Sequence, residues 1–393
     1  MSNYKKMTYM ISRIIYNKII DNPKSILLLG PRQVGKSSLC KILNPDLIIN
    51  LADQEQFNQH LKDPGYIKRL AEVDQNKLIV VDEVQRIPDI LNSIQYLIDN
   101  YPDKRFLITG SSARKLKKGN ANLLPGRIIV MHLPPLVFWE VAEKFDLKKA
   151  LTRGMLPEIY LNENLDQLLY SYTNTYLREE IQAEALTKNL GAYSRFLDVA
   201  ALKSGEQVNY SKLSSDCEIN KETLRRYFSI LEDTLLIEKI PSFIDIIGKR
   251  RAQQKEKFIF FDLGVRNAIL KIVENNFTNT ELGFIFEQWF ILQCIYYNRL
   301  MFKNWKISTF RTDQGDEVDL IIETPDKIFA IEIKYSNKLS EKMCNGLNFF
   351  GQVVKAKKVQ KYLIYIGDET QIFAKNITAI NFQRFLSDII KYI

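Results

Sequence analysis

The chain has 393 residues, 46% of them hydrophobic, and carries 55 Lys and Arg against 46 Asp and Glu, a net charge of +9. Two histidines, His60 and His132, are too few for a His-based triad or a multi-histidine metal site, and four scattered cysteines without a C-x-x-C pair argue against a zinc knuckle or a disulfide framework. The length predicts two or three domains, and the absence of a span-length apolar stretch or a signal-peptide core predicts a cytoplasmic protein with no membrane partner.

Residues 1–25 read as a short amphipathic helix, with Ile11, Ile14, Ile15, Ile19 and Ile20 at helical spacing. The apolar run Ile26–Leu29 then enters Gly30-x-x-x-x-Gly35-Lys36-Ser37, and a helix follows through Leu43. This is the phosphate-binding loop pattern in its expected strand-to-helix setting. Gly30, Pro31, Arg32, Gln33, Val34, Gly35, Lys36, Ser37 and Ser38 are expected to wrap a triphosphate, with Lys36 on the β- and γ-phosphates and the Ser37 hydroxyl on Mg²⁺. Leu47–Leu51 reads as a second strand, and Asp53–Val73 as polar and helical with a break at Asp63-Pro64-Gly65.

The apolar Leu78–Val81 leads directly into Asp82-Glu83, as at the end of a central parallel strand buried on both faces. Following a phosphate loop at this spacing, it predicts that Asp82 holds Mg²⁺ and Glu83 polarises the attacking water. A helix over 87–100 and a buried strand, Arg105–Gly110, come next. Ser111, with Thr109 behind it, is the expected polar residue between the loop and the acids; a plain strand-to-helix turn is the alternative. Leu123–Ile129 places Arg127 before a last strand, where it would steady transition-state charge in its own or a neighbouring subunit, with Arg32 as its rival.

The set GPRQVGKSS, VVDEVQR, ITGSSARK, LPGRI and PLVFWE, continued by Gly154-Met155-Leu156-Pro157 and YTNTYLREEI, resembles the AAA-family ATPases of bacteria and archaea that carry a C-terminal domain of unknown function. The resemblance covers nearly the whole chain. It implies ATP and Mg²⁺ as ligands and ATP hydrolysis by Lys36, Ser37, Asp82 and Glu83, with Ser111 and Arg127 assisting.

Residues 150–200 read as helices. There Arg178 belongs to a salt-bridged surface face or senses nucleotide. From Gln207 to Phe261 the pattern is a short helix, Ser211–Cys217, a second helix, Lys221–Leu231, a strand, a basic segment with Lys249, Arg250 and Arg251, and a strand over 258–261. This is a winged-helix outline, in which Arg225 and Arg226 would meet DNA and the hairpin tip its backbone. Winged helices equally serve as protein contacts.

Over 281–393 a helix, Glu281–Tyr297, carries Glu287 amid aromatics, and 307–311, 317–322 and 328–334 read as strands. Asp319 lies on the second, while Glu332 and Lys334 share one face of the third. This resembles the PD-(D/E)XK nuclease core. The resemblance implies that Glu287, Asp319 and Glu332 bind Mg²⁺ or Mn²⁺ and that Lys334 orients water or steadies the phosphate. Strand alternation alone yields the same pattern on a wet face. A helix over 340–354 and a strand, Lys361–Ile366, complete the sheet, beside the basic run Lys355–Lys361.

The expectation is thus an α/β protein: an AAA-type P-loop ATPase domain at 1–149, a helical linker with a winged helix at 150–262, and a restriction-endonuclease-like α/β domain at 263–393. The expected function is ATP hydrolysis, with nucleotide state controlling a DNA-binding, nuclease-like C-terminal domain. The alternative is a nucleotide-dependent switch or scaffold whose C-terminal domain binds a protein partner and cuts nothing. Monomer and homo-oligomer are equally compatible with the sequence.

Overall fold

Apolar runs decide the centre of the first sheet. The computed structural model describes residues 11–63, 65–73, 75–111, 124–163, 165–177, 190–243, 255–354 and 357–393; Arg178, Lys249–Arg251 and Lys355 lie outside them. Strand β1 (Ser25–Leu29) is buried at every position, β2 (Leu47–Asn50) at one, β3 (Leu78–Asp82) at four, β4 (Arg105–Gly110) at five and β5 (Ile128–His132) at one. The five form a wholly parallel sheet in the order β2-β3-β4-β1-β5. The three continuously apolar strands are central and the two half-exposed ones are edges, as expected when helices cover both faces. Leu27, Ile79, Val81, Phe106 and Ile108 are among the fully buried core, each worth about 1.5–3 kcal/mol of transfer free energy.

Because all strands run one way, their carboxyl ends share one edge. Leu29 pairs with Gly110 on one side and with His132 on the other, and Asn50 pairs with Asp82. β4 therefore separates β1 from β3. The N-terminal helix is shorter than its isoleucine spacing suggests. Among the described residues it covers Ile15–Ile20, with Ile15 and Ile19 buried and Ile20 exposed, since a helix of six residues presents one narrow face.

The chain divides into two compact units: residues 1–145, 155–165 and 233–235, which hold this sheet, and residues 146–154, 166–232 and 236–393. The second unit contains helices Leu190–Lys203, Tyr210–Asp216 and Lys221–Asp233, followed by an antiparallel pair, β6 (Ile237–Ile240) and β7 (Lys257–Phe260). Phe196, Tyr227, Phe228 and Phe258 meet edge to face or tilted in its core. Then come a long helix, Asn279–Leu300, and a six-stranded mixed sheet. That sheet comprises β8 (Lys306–Arg311), β9 (Glu317–Glu323), β10 (Lys327–Lys334), β11 (Lys358–Tyr365), β12 (Gln371–Phe373) and β13 (Ile377–Asn381), ordered β12-β13-β11-β10-β9-β8.

The last two strands go beyond the predicted sheet. They are short and flanked by polar residues, so their hydrophobic alternation is weak. The long helix opens on a capping box between Thr278 and Glu281 and is apolar on every side because it is buried on nearly every side. The helix over Asn345–Val353 covers β9, β10 and β11. Its approach depends on Gly346, where a Cβ would lie 1.8 Å from the Glu317 carbonyl oxygen.

Candidate functional site

The chain leaves β1 at Gly30, and a Cβ there would lie 2.4 Å from the Leu133 carbonyl oxygen. Only glycine admits that turn. Gln33 and Gly35 have φ of 62° and 95°, and left-handed residues within such a turn fold backbone N–H groups into an anion-binding concavity. Val34 anchors the loop in the core, while Ser37 and Ser38 are exposed. The buried Lys36 donates through Nζ to the carbonyls of Gly30 at 2.7 Å and Pro31 at 2.8 Å. Beneath the loop, Arg13 donates to the Val34 carbonyl at 2.6 Å and the Pro134 carbonyl at 2.7 Å, and pairs with the buried Glu140 at 3.0 Å. Arg13 thus braces the loop against the PLVFWE segment. The isoleucines around it drew the sequence reading, and nothing local marks this arginine as different from a surface one.

The acidic residues meet the end of β4. Thr109 donates its hydroxyl to Asp82 Oδ1 and accepts the Glu83 backbone N–H at 3.2 Å. Asp82 is 6% exposed. Glu83 itself has φ 61°, a conformation that is strained for a side chain of its size and turns the chain sharply out of β3. Gln85 donates one amide group to both Glu83 Oε2 and Ser111 Oγ, the latter at 2.8 Å, and its own Oε1 is buried without a hydrogen-bond partner. Thr109 is therefore the residue on Asp82, and Ser111 is reached through Gln85. Gln85 was not singled out in the sequence. Its spacing of two from Glu83 was the available signal. Nearby, burial and then Asp82 push the Cys40 thiol up to about 12, leaving it a packing residue.

Arg127 is not brought to this cluster. It precedes β5, whose first residue pairs with Ser25 at the amino-terminal edge of the sheet, and it binds Asp99 Oδ1 at 2.6 Å. The phosphate loop leaves the opposite, carboxyl edge. Parallel register makes the separation unavoidable, so a role for Arg127 on the loop of its own chain does not fit the fold. Arg86, also in VVDEVQR, caps the carbonyls of Leu51 and Ala52 and lies 4.4 Å from the Phe57 ring.

In the second unit, Ile331 of β10 pairs with Leu320 of β9, and Glu332 and Asp319 are the next residues along the two strands. Lys334 Nζ lies 2.6 Å from Glu332 Oε1 and 3.6 Å from Asp319 Oδ2, and Asp319 Oδ2 also accepts the Ile333 N–H at 2.8 Å. A second lysine enters from β7. Lys257, 4% exposed, places Nζ 3.1 Å from Glu287 Oε1 and 3.1 Å from Glu317 Oε1. Glu317 also binds Arg311 at 3.2 Å. The structure thus brings together the expected Glu287, Asp319, Glu332 and Lys334, and adds Lys257 and Glu317.

Burial and then Asp319 push the Glu287 carboxyl up to about 7 against the pull of Lys257. The same two influences raise Glu332 well above the usual carboxylate range against Lys334. For both lysines burial favours the neutral amine, but the surrounding carboxylates outweigh it and hold them charged above the ordinary lysine range. Glu332 Oε2 is buried without a hydrogen-bond partner. Among the described residues, no group of three or more His, Cys, Asp or Glu is arranged to hold a metal ion.

Arg225 and Arg226 are exposed on the helix Lys221–Asp233, the first lying 5.3 Å from the Tyr210 ring. Among the described residues, no helix is long and apolar enough to cross a membrane.

Comparison with known proteins agrees with the first of these sites. Residues 22–142 match the family described as AAA domain, and 144–276 and 282–385 match two domains of unknown function, DUF8612 and DUF4143. An uncharacterized protein of Mycobacterium tuberculosis is similar at 25% identity over 372 residues, 92% of this chain and 81% of its own. An uncharacterized protein of Haemophilus influenzae is 21% identical over 304 residues, 72% and 70% of the two chains. Among solved structures, a signal transduction ATPase with numerous domains and a tetratricopeptide repeat sensor, from Pyrococcus horikoshii, is 16% identical over 75% of this chain and 49% of its own, with a TM-score of 0.26. That score is below what a shared fold gives. The sheet, loop and acids of the first unit are those of a P-loop AAA-type ATPase domain, and such a domain binds ATP.

Proposed function

We propose that the chain hydrolyses ATP at the carboxyl edge of its parallel sheet and uses nucleotide state to control what the domains after the ATPase, taken as 150–262 and 263–393, engage. One observation carries this reading: Asp82 and Glu83 are positioned by Thr109 on the strand between them and the phosphate loop. The Gly30 turn, the left-handed Gly35 and the exposed Ser37 suit a triphosphate, and the oxygen donors Ser37 and Asp82 suit Mg²⁺. Bound there, the metal would offset charge on the phosphates. Lys36 exchanges its contacts with the Gly30 and Pro31 carbonyls for phosphate oxygens. Glu83 accepts a proton from the attacking water, and Gln85 fixes the carboxylate that does so.

For the C-terminal part, the register of Asp319, Glu332 and Lys334 supports a nuclease-like, DNA-directed reading, together with the exposed Arg225 and Arg226 on a winged-helix-like domain. The two lysines seated among those carboxylates favour the second reading, a switch or scaffold that binds a protein partner without cutting. The test measures ATP turnover and cleavage of plasmid and linear DNA in Mg²⁺ and Mn²⁺ for wild type, Glu83→Gln and Asp319→Ala. ATP turnover lost in Glu83→Gln while ATP still binds is the expected result; turnover that survives it would sink the hydrolytic assignment. Cleavage lost in Asp319→Ala supports the nuclease reading, and no cleavage with full turnover supports the switch.

A further inference from the structure

The carboxylates of the second unit already have a cation. Lys257 is the first residue of β7, and its backbone is pinned from both sides. β6 pairs with β7 along its whole length, and on the other edge Gly205 and Val208 donate to the carbonyls of Phe258 and Glu256 at 2.7 and 2.8 Å. Phe258 and Phe260 bury the opposite side of the strand. Side-chain alternation along β7 then points Lys257 away from those rings and into the acids. Its ammonium is within 3.1 Å of carboxylates on two separate elements, the helix Asn279–Leu300 and β9. An ammonium with several carboxylate oxygens around it has the charge and donor geometry to stand where a divalent cation would otherwise gather them.

A further observation shows that the cluster is not fully satisfied by its lysines. Glu332 Oε2 is buried without a hydrogen-bond partner, although Lys334 binds the other oxygen of the same carboxylate.

We propose that Lys257 is a tethered cation holding Glu287 and Glu317, beside Asp319 two residues along β9, in place of a divalent metal, so that this cluster takes up Mg²⁺ or Mn²⁺ only when the lysine is withdrawn. The inference concerns the cation alone and stands apart from whether the chain hydrolyses ATP or cuts nucleic acid. β7 is its lever: whatever moves the β6–β7 pair moves the ammonium.

The test is Mn²⁺ uptake by the full-length, nucleotide-free chain, read by electron paramagnetic resonance at about pH 8, where ordinary carboxylates and lysines are charged. Wild type, Lys257→Met, Asp319→Asn and the double variant Lys257→Met with Asp319→Asn are compared. Wild type is expected to take up no Mn²⁺ that Asp319→Asn removes. Lys257→Met is expected to gain a further equivalent of bound Mn²⁺ that disappears in the double variant. Lys257→Gln, which keeps a neutral donor at the position, carries the same expectation should methionine not fold. Uptake by wild type that Asp319→Asn abolishes overturns the proposal. So does the absence of any gain in a Lys257 variant that unfolds cooperatively.

Discussion

The two charged sites of this chain solve the same problem in opposite ways. At the edge of the parallel sheet, Asp82 and Glu83 are held by neutral donors, the Thr109 hydroxyl and the Gln85 amide. At the mixed sheet and the helix and strand pair beside it, Glu287, Glu317, Asp319 and Glu332 are held by Lys257 and Lys334. Neutral donors orient a carboxylate without cancelling its charge; ammonium groups cancel it. The first arrangement suits a site that meets a metal and a nucleotide, and the second suits one whose charge is settled within the protein. A lysine among acids is thus a different signal from a lysine on a glycine loop.

The comparison is broken most directly by removing one member from each side. Glu83→Gln is expected to lower ATP turnover by about 10²–10⁴-fold while ATP binding, measured by calorimetry, persists. Lys257→Met is expected to cost about 1–3 kcal/mol of stability in urea unfolding, since it leaves the partly buried Glu287 and Glu317 without their shared cation. Equal stability of the two chains would show that solvent, not Lys257, compensates those acids.

The Glu287 carboxyl sharpens the contrast through pH. Its folded value near 7 lies above the unfolded value, so the native chain keeps a proton that the unfolded chain sheds. Stability from this group is therefore present below the unfolded value and falls as pH rises toward 7. Between about pH 5 and pH 8, wild type should lose on the order of 3 kcal/mol more than Glu287→Gln, read from urea midpoints at each pH. Parallel curves for the two chains would mean that Glu287 titrates as an ordinary glutamate.

Smaller effects are expected where a residue only positions another. Gln85→Ala should lower kcat about tenfold with KM nearly unchanged, because Glu83 loses its orienting amide but the phosphate loop is untouched. An equal rise in KM would place Gln85 in nucleotide binding instead. Arg127→Ala, which removes an exposed pair with Asp99, should change stability by about 0–1 kcal/mol and leave ATP turnover of the monomer unchanged. A large loss of turnover restored by mixing with another inactive variant would reveal that Arg127 acts across subunits.

Local features of the chain are legible without the fold. The turn at Gly30, the lysine at 36 and the buried strands over 26–29, 78–81 and 105–110 are legible because backbone sterics and two-face burial act on neighbours in the chain. Asp319, Glu332 and Lys334 were legible as a pattern for the related reason that strand alternation puts alternate residues on one face. The short strands β12 and β13 were missed, since three to five residues flanked by polar ones carry little periodic signal.

By itself, then, the sequence determined the phosphate loop, the acidic strand end and the existence of a strand-borne acid and lysine cluster, all of which depend on residues a few positions apart. Only the tertiary structure decided which partners they met. Sheet order put Thr109 on Asp82 and took Arg127 to the far edge. Packing brought Arg13 under the loop from 21 residues away and Lys257 to Glu317 from 60. Those pairings follow from strand register and chain path, and the local code of propensity and periodicity does not contain them.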